Sequence, residues 1–337
     1  MTSHPTIRDV ARKAGVSHQT VSRVINGSGD VLPDTRAAVE KAIKEMGYRP
    51  NAIARSMARG NTHTLACISP NLTDYTFASV IEGAEAEARQ QKYFMLSSSA
   101  AEPVAFRELV EELVGHRRVD GLIIINPYSD ERHQFIPENF PVVFVGARAH
   151  EQKFCSVSLD DERVAYEATQ HLISLGHKDI ALITGPMAEE CSQDRTNGYI
   201  RALNDNGITF DSSKVLEGDW SASSGEQALL KFAKSGNIPT AIFAQNDRMA
   251  MGVLSAARDL NMTVPNQLAV IGVDDMPLSS YFDPPLSTMR QDMPTLGQIA
   301  TRTLLDLIQK KTPTEREVKL PAQLVVRKST TVKGGDL

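Results

Sequence analysis

Tryptophan occurs once in 337 residues, cysteine three times, and no apolar run approaches the roughly 20 residues that span a bilayer. Each scarcity removes a class of protein. Cys67, Cys155 and Cys191 are scattered, without CxxC or the Cys/His spacing of a metal site among the three Cys and eight His. Neither a disulfide framework nor a bound metal is therefore expected, and the thiols read as reduced, buried and inert. No charged n-region followed by an apolar stretch opens the chain, so a cytoplasmic protein is expected rather than a secreted solute-binding protein. No GxGxxG follows the first predicted strand, and there is no P-loop and no GxSxG. No cofactor is expected. An enzyme that uses Asp247, Asp274 and Asp275 for metal or acid/base work stands only as a minor competing reading.

Positive charge is also in deficit overall, at a net −5, yet it is unevenly placed. Residues 1–60 hold ten Lys and Arg against five Asp and Glu, which leaves the remainder strongly acidic. A basic head on an acidic body localises phosphate affinity to the head. Within it, Ile7, Val10, Ala11 and Ala14 recur at helical spacing behind Thr6, a capping residue type, and Gly15 can supply the positive φ that ends a helix. Ser17 caps a second helix whose Val21, Val24 and Ile25 face inward. This leaves His18, Gln19, Thr20, Ser22, Arg23 and Asn26 outside. Two short helices around a tight turn form a helix-turn-helix, whose second helix fits the major groove. Gln can read adenine and Arg guanine, while Ser and Thr hold phosphates. A third helix from Pro33 to Tyr48 closes the core with Val39, Ala42, Ile43 and Met46.

Arg49 to Gly60 (RPNAIARSMARG) is basic and can become helical after Asn51. Together with TIRDVARKAGVSHQTVSRVING and TRAAVEKAIKEMGYRPNAIARSMARG, it closely resembles the head and hinge of the lactose-repressor family of bacterial transcription regulators. The resemblance implies DNA contacts from Thr6, Ser17, His18, Gln19, Thr20, Ser22, Arg23 and Asn26. It adds Asn51, Ala54, Arg55 and Met57 in the hinge, where Met57 stands in place of the usual leucine as an apolar wedge between base steps. Asp30 sets an acid near the phosphate track, with no evident reason.

From about Thr62, short apolar runs alternate with amphipathic segments. Thr64–Ser69, Tyr93–Ser97, Gly121–Ile125, Val142–Val145 and Ser156–Leu159 read as buried strands, with helices at Phe77–Gln91 and Pro103–His116. A second series follows as helix Glu162–Leu175, strand Asp179–Thr184, helices Asp194–Asn206 and Ser223–Ser235, strand Thr240–Ala244, helix Asp247–Leu260 and strand Ala269–Val273. A helix Pro294–Lys310 and a strand Glu317–Arg327 come last. Such alternation predicts parallel sheets covered on both faces in two similar lobes, with ligands at the carboxyl ends of the strands. The family likeness implies the remainder of an α/β architecture. A three-helix head (1–50) and hinge helix (51–61) would join a two-lobed, periplasmic-binding-protein-like body (62–337). Its first lobe would span about 62–160 and 290–318, its second about 161–289 and 319–330.

In the body, HLISLGHKDIALITGP, GDWSASSG, PTAIFAQNDRMAMG, AVIGVDD, PPLSTMRQDM and LVVRKST are most similar to segments of the lactose repressor itself. By matching motif, the sugar-contacting residues would be Arg195, Trp220, Asn246, Asp274 and Gln291. Each has its own chemistry. Arg195 offers a planar fork of donors, Trp220 a stacking face, Asp274 an acceptor at a strand end, and Asn246 both donor and acceptor; Asn246 also reads as the N-cap of the next helix and could serve in both ways. Asp74, Tyr75 and Phe77 would form the near-lobe wall. Asp275 reads as a helix cap or a solvated charge. Gly146 and Met293 replace an acid and an aromatic of the lactose repressor, so a sugar effector is expected without commitment to a β-galactoside. A purine-type corepressor is the alternative. The expected protein is a homodimer on a pseudo-palindromic operator, because no leucine-rich heptad helix follows Arg327 and a two-fold protein reads two half-sites.

Overall fold

The computed structural model describes residues 5–27, 29, 31–49, 61–125, 132–148 and 154–331. Contacts divide the chain into a unit up to Thr62 and a unit from His63 onward.

The first unit is built from α1 (Ile7–Ala14), α2 (His18–Asn26) and α3 (Pro33–Met46). Thr6 starts α1 through a capping box: its hydroxyl accepts the Asp9 N–H, and the Asp9 carboxylate accepts the Thr6 N–H at 2.9 Å. Gly15 ends the helix at φ 67°, a conformation that costs an L side chain and not glycine. Val10, Ala11, Val21, Val24, Val39 and Ala42 are buried together, with Ile7, Ile25, Ile43 and Met46 packed around them.

The second unit contains two six-stranded sheets with the same strand order. In the first, β1 (Thr64–Ser69) lies between β2 (Phe94–Ser99) and β3 (Gly121–Ile125), followed by β4 (Val142–Val145), β5 (Cys155–Leu159) and β11 (Glu317–Leu320). In the second, β6 (Ile180–Thr184) lies between β7 (Val215–Glu217) and β8 (Ala241–Ala244), followed by β9 (Ala269–Asp274), β10 (Ser287–Arg290) and β12 (Gln323–Val325). All pairings are parallel except β10 with β12.

Side chains of successive strand residues enter opposite layers, which is why both faces need apolar residues. Leu65 and Cys67 pack under α4 (Tyr75–Gln90) and α10 (Met293–Ile308), while Ala66 and Ile68 face the layer of α5 (Pro103–Val110). In the second lobe Ala181 and Ile183 meet α8 (Ala222–Lys234) and α9 (Asp247–Asp259). Ile180 and Leu182 meet α6 (Asp161–Ser174) and α7 (Glu190–Asp205).

The chain passes between the sheets after β5, after β10 and between β11 and β12. This corrects the single strand expected over Glu317–Arg327. Pro321 carries no N–H for a ladder and the chain turns there, so Glu317–Leu320 joins one lobe and Gln323–Val325 the other. Helix α7 begins four residues before the expected Asp194, and the short strand β7 has no counterpart among the expected elements.

Candidate functional sites

The surface of α2 is polar where α2 does not pack on α1 and α3. Ser17, His18, Gln19 and Arg23 are exposed; Thr20, Ser22 and Asn26 are half-buried. Ser17 Oγ accepts the Thr20 N–H at 3.1 Å, and the Asn26 amide donates to Ser22 Oγ at 3.2 Å. Those side chains therefore brace the helix, whereas His18, Gln19 and Arg23 make no hydrogen bond or ion pair among the described residues. A helix N-terminus carrying uncommitted His and Gln, with Arg one turn on, has the form of a base-reading edge. Asn51, Ala54, Arg55, Met57 and Asp30 lie outside the described residues.

In the second unit, Asp74, Tyr75, Phe77, Arg195, Trp220, Asn246, Asp274 and Gln291 all line one cavity between the two lobes. Topology brings these residues together: Asp74 follows β1, Trp220 follows β7, Asn246 follows β8, Asp274 ends β9 and Gln291 follows β10. All of these are carboxyl ends of strands. The first lobe contributes an apolar wall of Phe77, Val80, Ile125, Val145 and Leu159, extended by Met293 and Leu296 of α10.

The second lobe contributes the polar wall. Arg195 is buried, with Nε donating to Asp161 Oδ1 at 2.7 Å and Nη1 to the Gln245 carbonyl at 2.6 Å. Burial is the largest single influence and disfavours its charge, but the neighbouring acidic groups, Asp161 foremost and Asp274 among them, together outweigh it and keep the guanidinium protonated. Gln291 Nε2 donates to Asp274 Oδ1 at 2.8 Å. Burial, reinforced by the nearby Asp247 carboxyl, pushes Asp274 well above the usual carboxylate range. Trp220 sits at φ 68° and donates its indole N–H to Glu189 Oε1 at 3.0 Å. Its ring is seated on Gly185: a Cβ there would fall 2.0 Å from the indole, so only glycine permits this placement. The Arg195 guanidinium carbon stands 5.9 Å from the ring centre.

Asn246 combines the two parts open to it from sequence: it caps α9, accepting the Met249 N–H at 2.8 Å, and lines the cavity, donating to the Trp220 carbonyl at 3.1 Å. It therefore positions the tryptophan as well. Two other readings from sequence need adjustment. Asp275 is neither a cap nor solvated: it is clamped by Arg290 and Arg327, each at 2.6 Å. Cys191 is not simply buried in a core but lies in the cavity wall, where burial raises its thiol pKa and keeps it protonated. Asp161, Glu189 and Arg248 were not foreseen. Asp161 caps no recognisable motif, and its role emerges only when Arg195, 34 positions later, folds onto it.

Comparison with known proteins now bears on both sites. The pattern for bacterial regulatory proteins of the lacI family matches residues 6–51, and that for a periplasmic binding protein-like domain matches residues 169–330. Catabolite control protein A of Priestia megaterium is 37% identical over 329 residues, which is 96% of this chain and 99% of the relative. The chain belongs to the lacI family.

This lacI-family regulator is also similar to a solved lac repressor dimer bound to operator and the anti-inducer ONPF, with a TM-score of 0.90 at 32% identity, covering 98% and 100% of the two chains. A complex of the transcriptional regulator CelR with cellobiose superposes with a TM-score of 0.75 at 31% identity, covering 96% and 99%. The regulator is thus a DNA-binding transcriptional repressor with an effector-binding body, and the relatives it matches are regulators rather than enzymes. Asp247, Asp274 and Asp275 point to separate partners, and among the described residues no three His, Cys, Asp or Glu side chains group as a metal site. No described helix is long and apolar enough to cross a membrane.

Proposed function

We propose that this regulator binds a sugar or sugar-like effector in the interlobe cavity and that occupancy alters its affinity for a pseudo-palindromic operator. On this reading it is a cytoplasmic homodimer that represses carbohydrate-utilisation genes. The observation that carries the proposal is the polar wall of Arg195, Asn246, Asp274 and Gln291 beside the Trp220 indole, in one cavity. Donors and acceptors gathered on one wall, next to a flat apolar surface, match a polyhydroxylated ring. The cellobiose complex of a similar protein lends support. His18 and Gln19 would read bases with Arg23 alongside; Thr6, Ser17, Thr20, Ser22 and Asn26 would hold phosphates. Asn51, Ala54, Arg55 and Met57 would enter the minor groove.

The effector can shift DNA binding only by favouring one lobe arrangement over the other, since equal affinity for both moves nothing. A coupling of about 1–3 kcal/mol changes operator affinity roughly 5–150-fold. Trp220 is the only tryptophan and lines the cavity, so its fluorescence reports on occupancy. Titrating neutral sugars and purines, with operator anisotropy measured in parallel, tests the assignment. The expected result is that a sugar perturbs Trp220 and shifts operator affinity; a response to nucleobases alone would transfer the site to a purine-type corepressor.

A further inference from the structure

Arg248 stands at the cavity rim on the first turn of α9, and the effector reading above gives it no part. It donates to Asp74 Oδ2, so the ion pair joins the second lobe to the first across the mouth of the cleft. Asp74 also caps α4 by accepting the Thr76 N–H at 2.9 Å. The second guanidinium of the cavity, Arg195, is matched by Asp161 at 2.7 Å. The two remaining lining carboxyls, Glu189 and Asp274, are buried and accept from the Trp220 indole and the Gln291 amide. Burial raises the pKa of both, which favours their neutral forms. Every cation that lines the cavity among the described residues is therefore matched to a carboxylate, and no positive charge is left over.

We infer that Asp74, by holding Arg248, makes the cavity selective for uncharged ligands over sugars bearing a phosphate or carboxylate. An anion approaching Arg248 must displace Asp74 and then face its carboxylate at short range, while a neutral polyol leaves the pair intact. Removing the Asp74 charge need not release the lobes. Arg148 supplies a second tie, pairing with Asp194 and donating its backbone N–H to Glu190 at 2.7 Å. Asparagine at position 74 would also still cap α4.

This inference rests on the effector reading of the cavity, but its test requires no effector. Trp220 emission in the full-length protein is quenched by iodide, an anion, and by acrylamide, which is neutral, at constant ionic strength. The ratio of the iodide to the acrylamide quenching constant measures how the cavity treats negative charge. Asp74→Asn should raise that ratio about twofold or more. Arg248→Met should lower it below the wild-type value, and the double variant should return it to the wild-type value. An unchanged ratio in Asp74→Asn, or a rise that survives in the double variant, overturns the proposal. Absence of any Trp220 response to neutral sugars would defeat the effector reading while leaving the quenching comparison standing.

Discussion

Asp274 and Asp275 are adjacent and differ sharply in their surroundings. Both have positive φ, 125° and 56°, at the end of β9. Such strain costs on the order of 1–3 kcal/mol per residue and persists only where the surroundings impose it. Asp247 supplies much of that imposition: its carboxylate accepts from the Met276 N–H at 3.0 Å, the Ser279 hydroxyl, and the Thr288 hydroxyl at 2.6 Å. The Asp275 charge is matched by two arginines at 2.6 Å, whereas the Asp274 side chain accepts from the Gln291 amide and makes no ion pair within 4 Å among the described residues. Burial pushes Asp247 up to about 6 and Asp274 well above its ordinary value. A carboxyl whose folded-state pKa is raised favours folding most at low pH. Its contribution declines as pH rises from the unfolded value, near 4, through the folded one. The urea midpoint of wild type relative to Asp274→Asn should therefore fall between about pH 4 and pH 7. A difference that is flat or rising over that range would show that Asp274 is held as a stabilised anion.

The start of α2 joins two functions in one residue. Ser17 caps the helix through the Thr20 N–H, and the same N-terminus would meet a phosphate in the DNA complex. Ser17→Ala should cost about 1 kcal/mol of head stability, read by thermal unfolding. Ser17→Asp should keep the cap and the stability yet weaken operator binding, because its charge opposes the phosphate. Loss of operator affinity in Ser17→Ala alone, with Ser17→Asp binding normally, would assign the residue to capping only. The helices of the head were legible in sequence because each has its own punctuation: Thr6 and Gly15, Ser17, then Pro33. The β11 to β12 segment had less local information. Its apolar pattern runs on past Pro321, and which sheet accepts each half depends on partners far away in sequence.

Across the whole molecule, the basic head and acidic body separate adhesion from sensing. Operator affinity should fall with salt as phosphates are neutralised, with a slope of about −0.9 for each phosphate contacted. Replacing Arg23 with Met should make that slope shallower or relax base choice, and anisotropy at several salt concentrations distinguishes the two. A homodimer is expected in solution, and the exposed Phe94, Leu278 and Tyr281 provide apolar surface that a second copy would cover. Light scattering that shows a monomer or tetramer at micromolar concentration would remove that arrangement.

The amino-acid sequence by itself determined the helix-turn-helix and the alternation of strands and helices. These rest on short-range periodicity and capping, where cause and effect lie within a few residues; Arg195, Trp220, Asn246, Asp274 and Gln291 were named instead through the likeness of their motifs to a known family. The tertiary structure alone decided the charge balance of the site. Asp161 meets Arg195, Asp74 meets Arg248, and Asp275 meets both Arg290 and Arg327 only after two sheets and three crossings set them side by side. Pairing of that kind acts over a few ångströms of space and leaves no periodic trace along the chain.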